Sequence, residues 1–287
     1  MRSYPRNRML AALALGAALS LAAHAVAAAE KEYQPVVGQE GKDVIWVPTP
    51  EKTVEKMLAV ANVGPSDMVI DLGCGDGRIV IAAAKRGARA FGVDMNPDMI
   101  KLSERHAAAD GVTERAKFYV RDIFETDLKP ATVVTMYLLP QLNLRLRPTL
   151  LALKPGTRIV SHAFDMADWE PDVYDTSTGN SVRLWIVPAK VSGSWSWQMN
   201  AAGGERSVSL DLDQTYQKLT GSVKAGGKLA LRDAKLAGDA ISFSLVDESA
   251  GGARYDFSGH VNGGVIDGSV KSGNGATAKW HATRNSS

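Results

Sequence analysis

The run Met68–Arg78, MVIDLGCGDGR, sets an apolar strand, a glycine-rich turn and a helix start in immediate succession. Repeated units of this kind build a mostly parallel sheet whose ligand sites lie at the carboxyl ends of the strands. The flanking sequence supplies the repeats. Pro50–Val63 reads as a helix, with Thr49 as N-cap and Pro50 in the first turn. After strand Met68–Asp71, the pattern predicts helix Arg78–Lys85, strand Arg89–Val93, helix Pro97–Asp110 and strand Lys117–Val120. Strand Thr132–Tyr137, helix Gln141–Leu151 and strand Thr157–Ser161 follow, with Pro148 expected to kink or shorten its helix. A late strand, Val182–Val187, is expected to pair with Asp172–Tyr174 or another edge.

The pattern changes near Pro188. Beyond it, eight short alternating segments are joined mostly by glycine-bearing links: Gly193–Met199, Ser207–Gln214, Lys218–Ala225, Lys228–Ala234, Ala240–Val246, Arg254–Val261, Val265–Lys271 and Ala276–Ala282. Alternation at Leu210, Leu212, Leu229, Leu231, Ile241, Phe243 and Leu245 packs one face. The expected fold is α/β, a Rossmann-like sheet over residues 30–188, followed by an all-β barrel or sandwich over 189–287. The β half shows no catalytic constellation and reads as a structural or recognition module.

Gly73, Gly75 and Gly77 let the backbone lie against a ligand, and the amides of the next helix start can receive a carboxylate. Asp94 sits at the tip of the second strand, 21 residues after Gly73, where an acidic residue commonly grips a ribose diol. Asp122 follows the third strand, placed for an adenine amino group, with Ile123 or Phe124 against the ring. A dinucleotide site wants GxGxxG and room for a pyrophosphate, and two nearby carboxylates oppose one. Asp71 and Asp76 instead suit a ligand that carries an ammonium and a sulfonium, which favours S-adenosylmethionine over NAD.

With these residues the chain resembles the class I S-adenosylmethionine-dependent methyltransferases. It is most similar to a lysine-methyltransferase-like branch, related to the mitochondrial enzymes that modify the adenine nucleotide translocase and the c-ring protein of ATP synthase. Val47–Pro50, Asp71–Arg78, Phe91–Asp94, Arg121–Phe124, Tyr137–Pro140 and Leu153–Gly156 carry the resemblance, which covers roughly residues 44–188. It implies that Asp71, Gly73, Gly75 and Gly77 surround the methionine part of the cofactor, that Asp94 holds the ribose, and that Asp122 and Ile123 address the adenine. It also implies that Tyr137 lines the methyl-transfer channel. His162 and Asp165, after the fifth strand, are further candidates for contact with the acceptor. A protein lysine is the expected acceptor. A small molecule or lipid is the alternative, and an exported binding protein without catalysis is a third reading.

Arg2, Arg6 and Arg8 precede the apolar run Met9–Ala22, and small residues at Ala25–Ala29 give cleavage patterns. Residues 1–29 therefore read as a signal peptide or an N-terminal anchor, which implies a periplasmic or secreted protein with possible membrane association. Net charge is +2 for the whole chain and −1 without those three arginines, so bulk electrostatics give no argument for nucleic acid. The one cysteine, Cys74, excludes an intramolecular disulfide and a multi-cysteine zinc site, and no metal is expected.

Overall fold

The computed structural model describes residues 33–40, 45–201, 204–249 and 251–285. The leader pattern at Met1–Ala29 lies outside the described residues. Residues Val37–Ser287 cluster as one compact unit that carries two sheets.

The first sheet arises from α1 (Glu51–Val60), β1 (Met68–Leu72), α2 (Arg78–Lys85), β2 (Arg89–Asp94), α3 (Pro97–Ala109), β3 (Ala116–Val120), β4 (Val133–Met136), α4 (Pro140–Leu151), β5 (Arg158–His162), β6 (Val173–Asp175) and β7 (Val182–Ile186). The strand order is β3-β2-β1-β4-β5-β7-β6. The first five strands are mutually parallel, and β7 runs antiparallel to both β5 and β6. Helices on both faces explain why β1, β4 and β5 are almost continuously buried rather than alternating. Asp71 lies beside Gly92, and Asp94 beside Val120, so the carboxyl ends of β1, β2 and β3 meet at one edge.

Two local expectations change. Thr49 does not cap α1; Pro50 occupies the cap position without a side-chain bond, and Thr49 Oγ1 lies 3.1 Å from His162 Nδ1 instead. The tertiary bond wins because Thr49 is buried, where its hydroxyl needs a partner. α4 also runs through Pro148. The carbonyl that Pro148 leaves unpaired belongs to Leu144, which is exposed, so the lost bond falls on the solvated face.

The second sheet contains β8 (Gly193–Ala201), β9 (Gly204–Thr215), β10 (Lys218–Ala225), β11 (Leu229–Ala237), β12 (Ala240–Asp247), β13 (Ala253–Asn262), β14 (Val265–Ser272) and β15 (Thr277–Arg284). Its order is β10-β9-β8-β15-β14-β13-β12-β11, antiparallel throughout. Strands β10 and β11, at the two ends of this order, lie against each other, and the link that joins them carries an isolated bridge between Ala225 and Gly227. The sheet is a nearly closed barrel. Strict alternation along β13 sends Tyr255, Phe257 and Val261 inward. Phe243 and Phe257 stack at 4.9 Å, with Trp280 edge-on to both. These rings fill the interior as a packed core.

Candidate functional site

At the carboxyl edge of the first sheet lies a cavity of about 270 Å³. It is lined by Asp71, Gly73, Gly75, Asp94, Asp122, Ile123 and Tyr137, seven of the residues singled out from the sequence. Asp71 enters from β1 and is 2% exposed. Thr135 on the neighbouring β4 donates to Asp71 Oδ1 at 2.7 Å. Burial, reinforced by the Asp94 and Asp76 charges, pushes the Asp71 carboxyl up to about 7 against the Thr135 bond. No cation of the protein is paired with it among the described residues, so the cavity favours a positively charged ligand group beside it.

Asp94 ends β2 and fixes the turn beside it. Its Oδ2 accepts the Gly75 amide at 3.0 Å, and its Oδ1 accepts the Asn96 amide at 2.9 Å. Asp122 Oδ1 accepts the Phe124 amide at 2.9 Å, which holds Ile123 against the cavity. Gly75 has φ +52, and a Cβ there would lie 2.7 Å from the Trp46 indole nitrogen. The bare backbone thus lets Trp46 pack directly onto the turn, and Trp46 roofs it.

Gly77 stands outside the lining. It is the left-handed N-cap of α2, packed against Phe118 and Ser103. Its place is therefore set by the turn into α2 rather than by contact with the cavity. Asp76 lines the cavity but is paired with Arg78, whose Nε donates to Asp76 Oδ1 at 2.9 Å and whose Nη1 donates to the Thr49 carbonyl at 2.8 Å. Of Asp71 and Asp76, only Asp71 is without a protein cation among the described residues.

Tyr137, one residue beyond β4, lies against His162 with ring centroids 3.9 Å apart and planes tilted by 36°, and faces Phe164 at 6.0 Å. His162 lies behind Tyr137, is 2% exposed and does not line the cavity. Burial holds its imidazole below the usual histidine range, against a side-chain bond with Asn180. Asp165 also stands outside the lining. It is exposed, its Oδ1 accepts the Ala167 amide at 3.2 Å, and its carbonyl accepts from Asn143. Ala163, in the left-handed region at φ 64, turns the chain so that Phe164, rather than Asp165, faces Tyr137. His162→Phe is expected to cost on the order of 2 kcal/mol through the lost Thr49 and Asn180 bonds. Cofactor affinity should stay within about twofold, since the imidazole only backs the wall. Urea denaturation and calorimetry measure the two effects, and a large affinity loss would return His162 to the site.

Trp46, Arg78 and Phe164 were not assigned to the site from the sequence. The Val47–Pro50 motif pointed near Trp46, but the turn it covers lies 29 residues away.

The donor set fits S-adenosylmethionine. A buried carboxylate without a protein cation suits an ammonium or sulfonium, and the Asp94 and Asp122 carboxylates sit at successive strand tips for hydroxyl and amino donors.

The ANTKMT methyltransferase domain matches residues 71–173. A protein-lysine N-methyltransferase of Saccharolobus islandicus is 45% identical over 151 residues, 50% of this chain and 94% of that enzyme. The mouse adenine nucleotide translocase lysine N-methyltransferase is 35% identical over 152 residues, 52% of this chain and 65% of that enzyme, so the match leaves about a third of it uncovered. The crystal structure of an RNA methyltransferase from Salinibacter ruber in complex with S-adenosyl-L-homocysteine is 46% identical. It covers 50% of this chain and 96% of that one, with a TM-score of 0.49. The near-complete match to the Saccharolobus enzyme, together with the domain match across the cavity, places this chain in the family of S-adenosylmethionine-dependent protein-lysine methyltransferases.

Proposed function

We propose that this protein transfers a methyl group from S-adenosylmethionine to a lysine side chain of a protein acceptor. The observation that carries this reading is one cavity joining the Asp71, Asp94 and Asp122 carboxylates to the Tyr137 and Phe164 rings. In it, Asp71 and the Gly73–Gly75 turn hold the methionine part, Asp94 the ribose, and Asp122 with Ile123 the adenine. Gly77 supports the turn from outside the cavity. The cofactor, when bound, supplies a methyl group on a sulfonium.

The residues of the chain align the acceptor and exclude water. An attacking lysine must be neutral, and burial beside Leu138, Leu139 and Phe164 favours the neutral amine. Tyr137 orients that amine through its hydroxyl. Trp46 and Val47 cover the cofactor side.

Transfer of labelled methyl from S-adenosylmethionine to poly-L-lysine, with poly-L-arginine as control, tests this reading. Label on lysine that depends on Tyr137 supports it: Tyr137→Phe should lower the rate by about tenfold or more if the hydroxyl positions the amine. Saturable cofactor binding with label only on a lipid or small-molecule fraction would overturn the choice of acceptor.

The proposal includes export of the domain at residues 30–188 with its β partner at 189–287. Its basis is the leader pattern at Arg2, Arg6, Arg8 and Met9–Ala29. A mature N-terminus beginning near residue 30 in the periplasmic fraction supports it. An intact N-terminus in the cytosol refutes it. Recovery of the intact chain in membranes would indicate an anchor.

A further inference from the structure

The links between the barrel strands follow one rule with one departure. Every other link carries glycine in the sequence, but β9 turns into β10 through Tyr216-Gln217. Tyr216 takes φ 55, in the left-handed region that favours glycine or asparagine in a two-residue hairpin. A bulky aromatic is held in that conformation only where its surroundings impose it.

Those surroundings belong to the first sheet. The Tyr216 ring stacks on Trp169 at 5.8 Å and 19°, and packs against the core cluster that contains Met166, Leu146 and Trp185. Its hydroxyl donates to Asp168 Oδ2 at 2.8 Å. Gln217 Oε1 accepts the Trp169 indole N–H at 3.1 Å, and its amide nitrogen donates to the Glu170 carbonyl at 2.7 Å. Gln214 fixes the hairpin base, donating to the Tyr216 and Ala189 carbonyls and accepting the Val191 amide. Two adjacent turn residues therefore grip three consecutive residues of the loop after β5.

The second residue of that loop is Phe164, which lines the cavity and faces Tyr137. Between Phe164 and the gripped residues, Ala167 is a second left-handed alanine at φ 54, and Met166 bridges back to Trp169. Arg147 on α4 also bonds the Met166 carbonyl and Asp168. The loop is a short, tightly turned arch, with one foot in the cavity wall and the other under the barrel hairpin.

We propose that the Tyr216-Gln217 hairpin is a brace through which the β-barrel positions the loop after β5, and with it the Phe164 wall against which the acceptor lysine is aligned. Tyr216 and Gln217 are positioning residues that act through Trp169 and Asp168. This inference rests on the assignment of the Tyr137–Phe164 side to the acceptor. It gives the barrel a task in the transfer without placing any of its residues in the cavity.

The test compares the full-length protein with Tyr216→Ala/Gln217→Ala and with Tyr216→Phe. Amide hydrogen exchange across Phe164–Glu170 should quicken by about tenfold or more in the double variant, while the β1 and β2 amides stay unchanged. Affinity for S-adenosyl-L-homocysteine should stay within about twofold, because no brace residue lines the cavity. With poly-L-lysine as acceptor, the half-saturating concentration should rise by roughly fivefold or more, with the limiting rate much less changed. Tyr216→Phe keeps the ring stack and should recover most of that loss. Unchanged exchange in the loop, or affinity for S-adenosyl-L-homocysteine that falls in step with activity, would overturn the brace. If the unaltered protein does not methylate poly-L-lysine, the lysine reading fails, while the exchange measurement still decides whether the hairpin holds the loop.

Discussion

Asp71→Asn is expected to give a protein that is more stable without cofactor and binds it far less well. The side chain is fully enclosed, and its only described hydrogen bond comes from the Thr135 hydroxyl, which an amide oxygen accepts equally well. The substitution therefore keeps shape and hydrogen bond and removes the charge. Because the folded value is raised from 3.8 to about 7, mainly by burial, the folded state holds this proton more tightly than the unfolded chain does. The resulting stability is fully present below about pH 4 and is lost as pH rises to about 7. At about 1.4 kcal/mol per unit, the loss is on the order of 4 kcal/mol. Asparagine escapes it, so the gain of the variant should grow across that window and level off above it. Binding runs the other way. Loss of a buried charged partner weakens a cationic ligand by about 100-fold. In the unaltered protein, affinity should climb by about tenfold per unit up to about pH 7, as Asp71 ionises, and then flatten. Denaturation at pH 5 and pH 8, with calorimetric titration of S-adenosylmethionine at the same values, measures both. Equal affinity in the variant and the parent would remove Asp71 from the cofactor site.

Gly92→Ala is expected to be the most damaging small change in the first sheet. Gly92 lies in the middle of β2, beside Asp71 of β1. Its backbone is not left-handed, so the reason for glycine there is space. A Cβ would stand 2.4 Å from Cys74 Cβ, 2.8 Å from Cys74 Sγ and 3.0 Å from Val80 Cγ2. Those neighbours are themselves buried between strand and helix and cannot retreat. We expect a loss of about 3 kcal/mol, read from chemical denaturation. The compensating change is specific. Cys74→Ala keeps the offending Cβ and should not rescue, whereas Cys74→Gly should restore much of the stability. Rescue by Cys74→Ala would mean that sulfur alone causes the clash. The glycine is thus the counterpart of the cysteine, whose buried thiol is pushed up by its surroundings and stays protonated.

Most strands and helices were legible because each follows from a short-range pattern. Alternation and mostly glycine-bearing links located the eight barrel strands, and the helix expected at Pro97–Asp110 is α3; that Asn96 caps it by accepting the Asp98 amide was not read from the sequence. Asp94 was legible because one strand–helix–strand step sets its spacing from the glycines. Long-range partnerships were not. Nothing local says that Thr49 bonds His162 across 113 positions, that Trp46 roofs Gly75, or that Arg78 neutralises Asp76 while holding the Thr49 carbonyl. Asp165 lies outside the cavity lining, because Ala163 turns at positive φ and the next residue, Phe164, lines the cavity instead, which a sequence does not show. The missing glycine at Tyr216-Gln217 was visible in the sequence, but its meaning depends on Trp169, 47 residues earlier.

The seam between β8 and β15 bears on how the protein is made. Thr283 pairs with Ser196 and Arg284 with Trp195, and the Arg284 guanidinium reaches back to the carbonyls of Ser192 and Lys190. The first barrel strand therefore gains its second neighbour only after the eighth has been made. Until then β8 has a free edge beside Trp195 and Trp197, the kind of apolar strand that chaperones hold and proteases cut. A chain that stops short of Thr277 never covers that edge. Premature termination late in the message would thus yield a product with a complete first sheet that quality control can still recognise as unfinished.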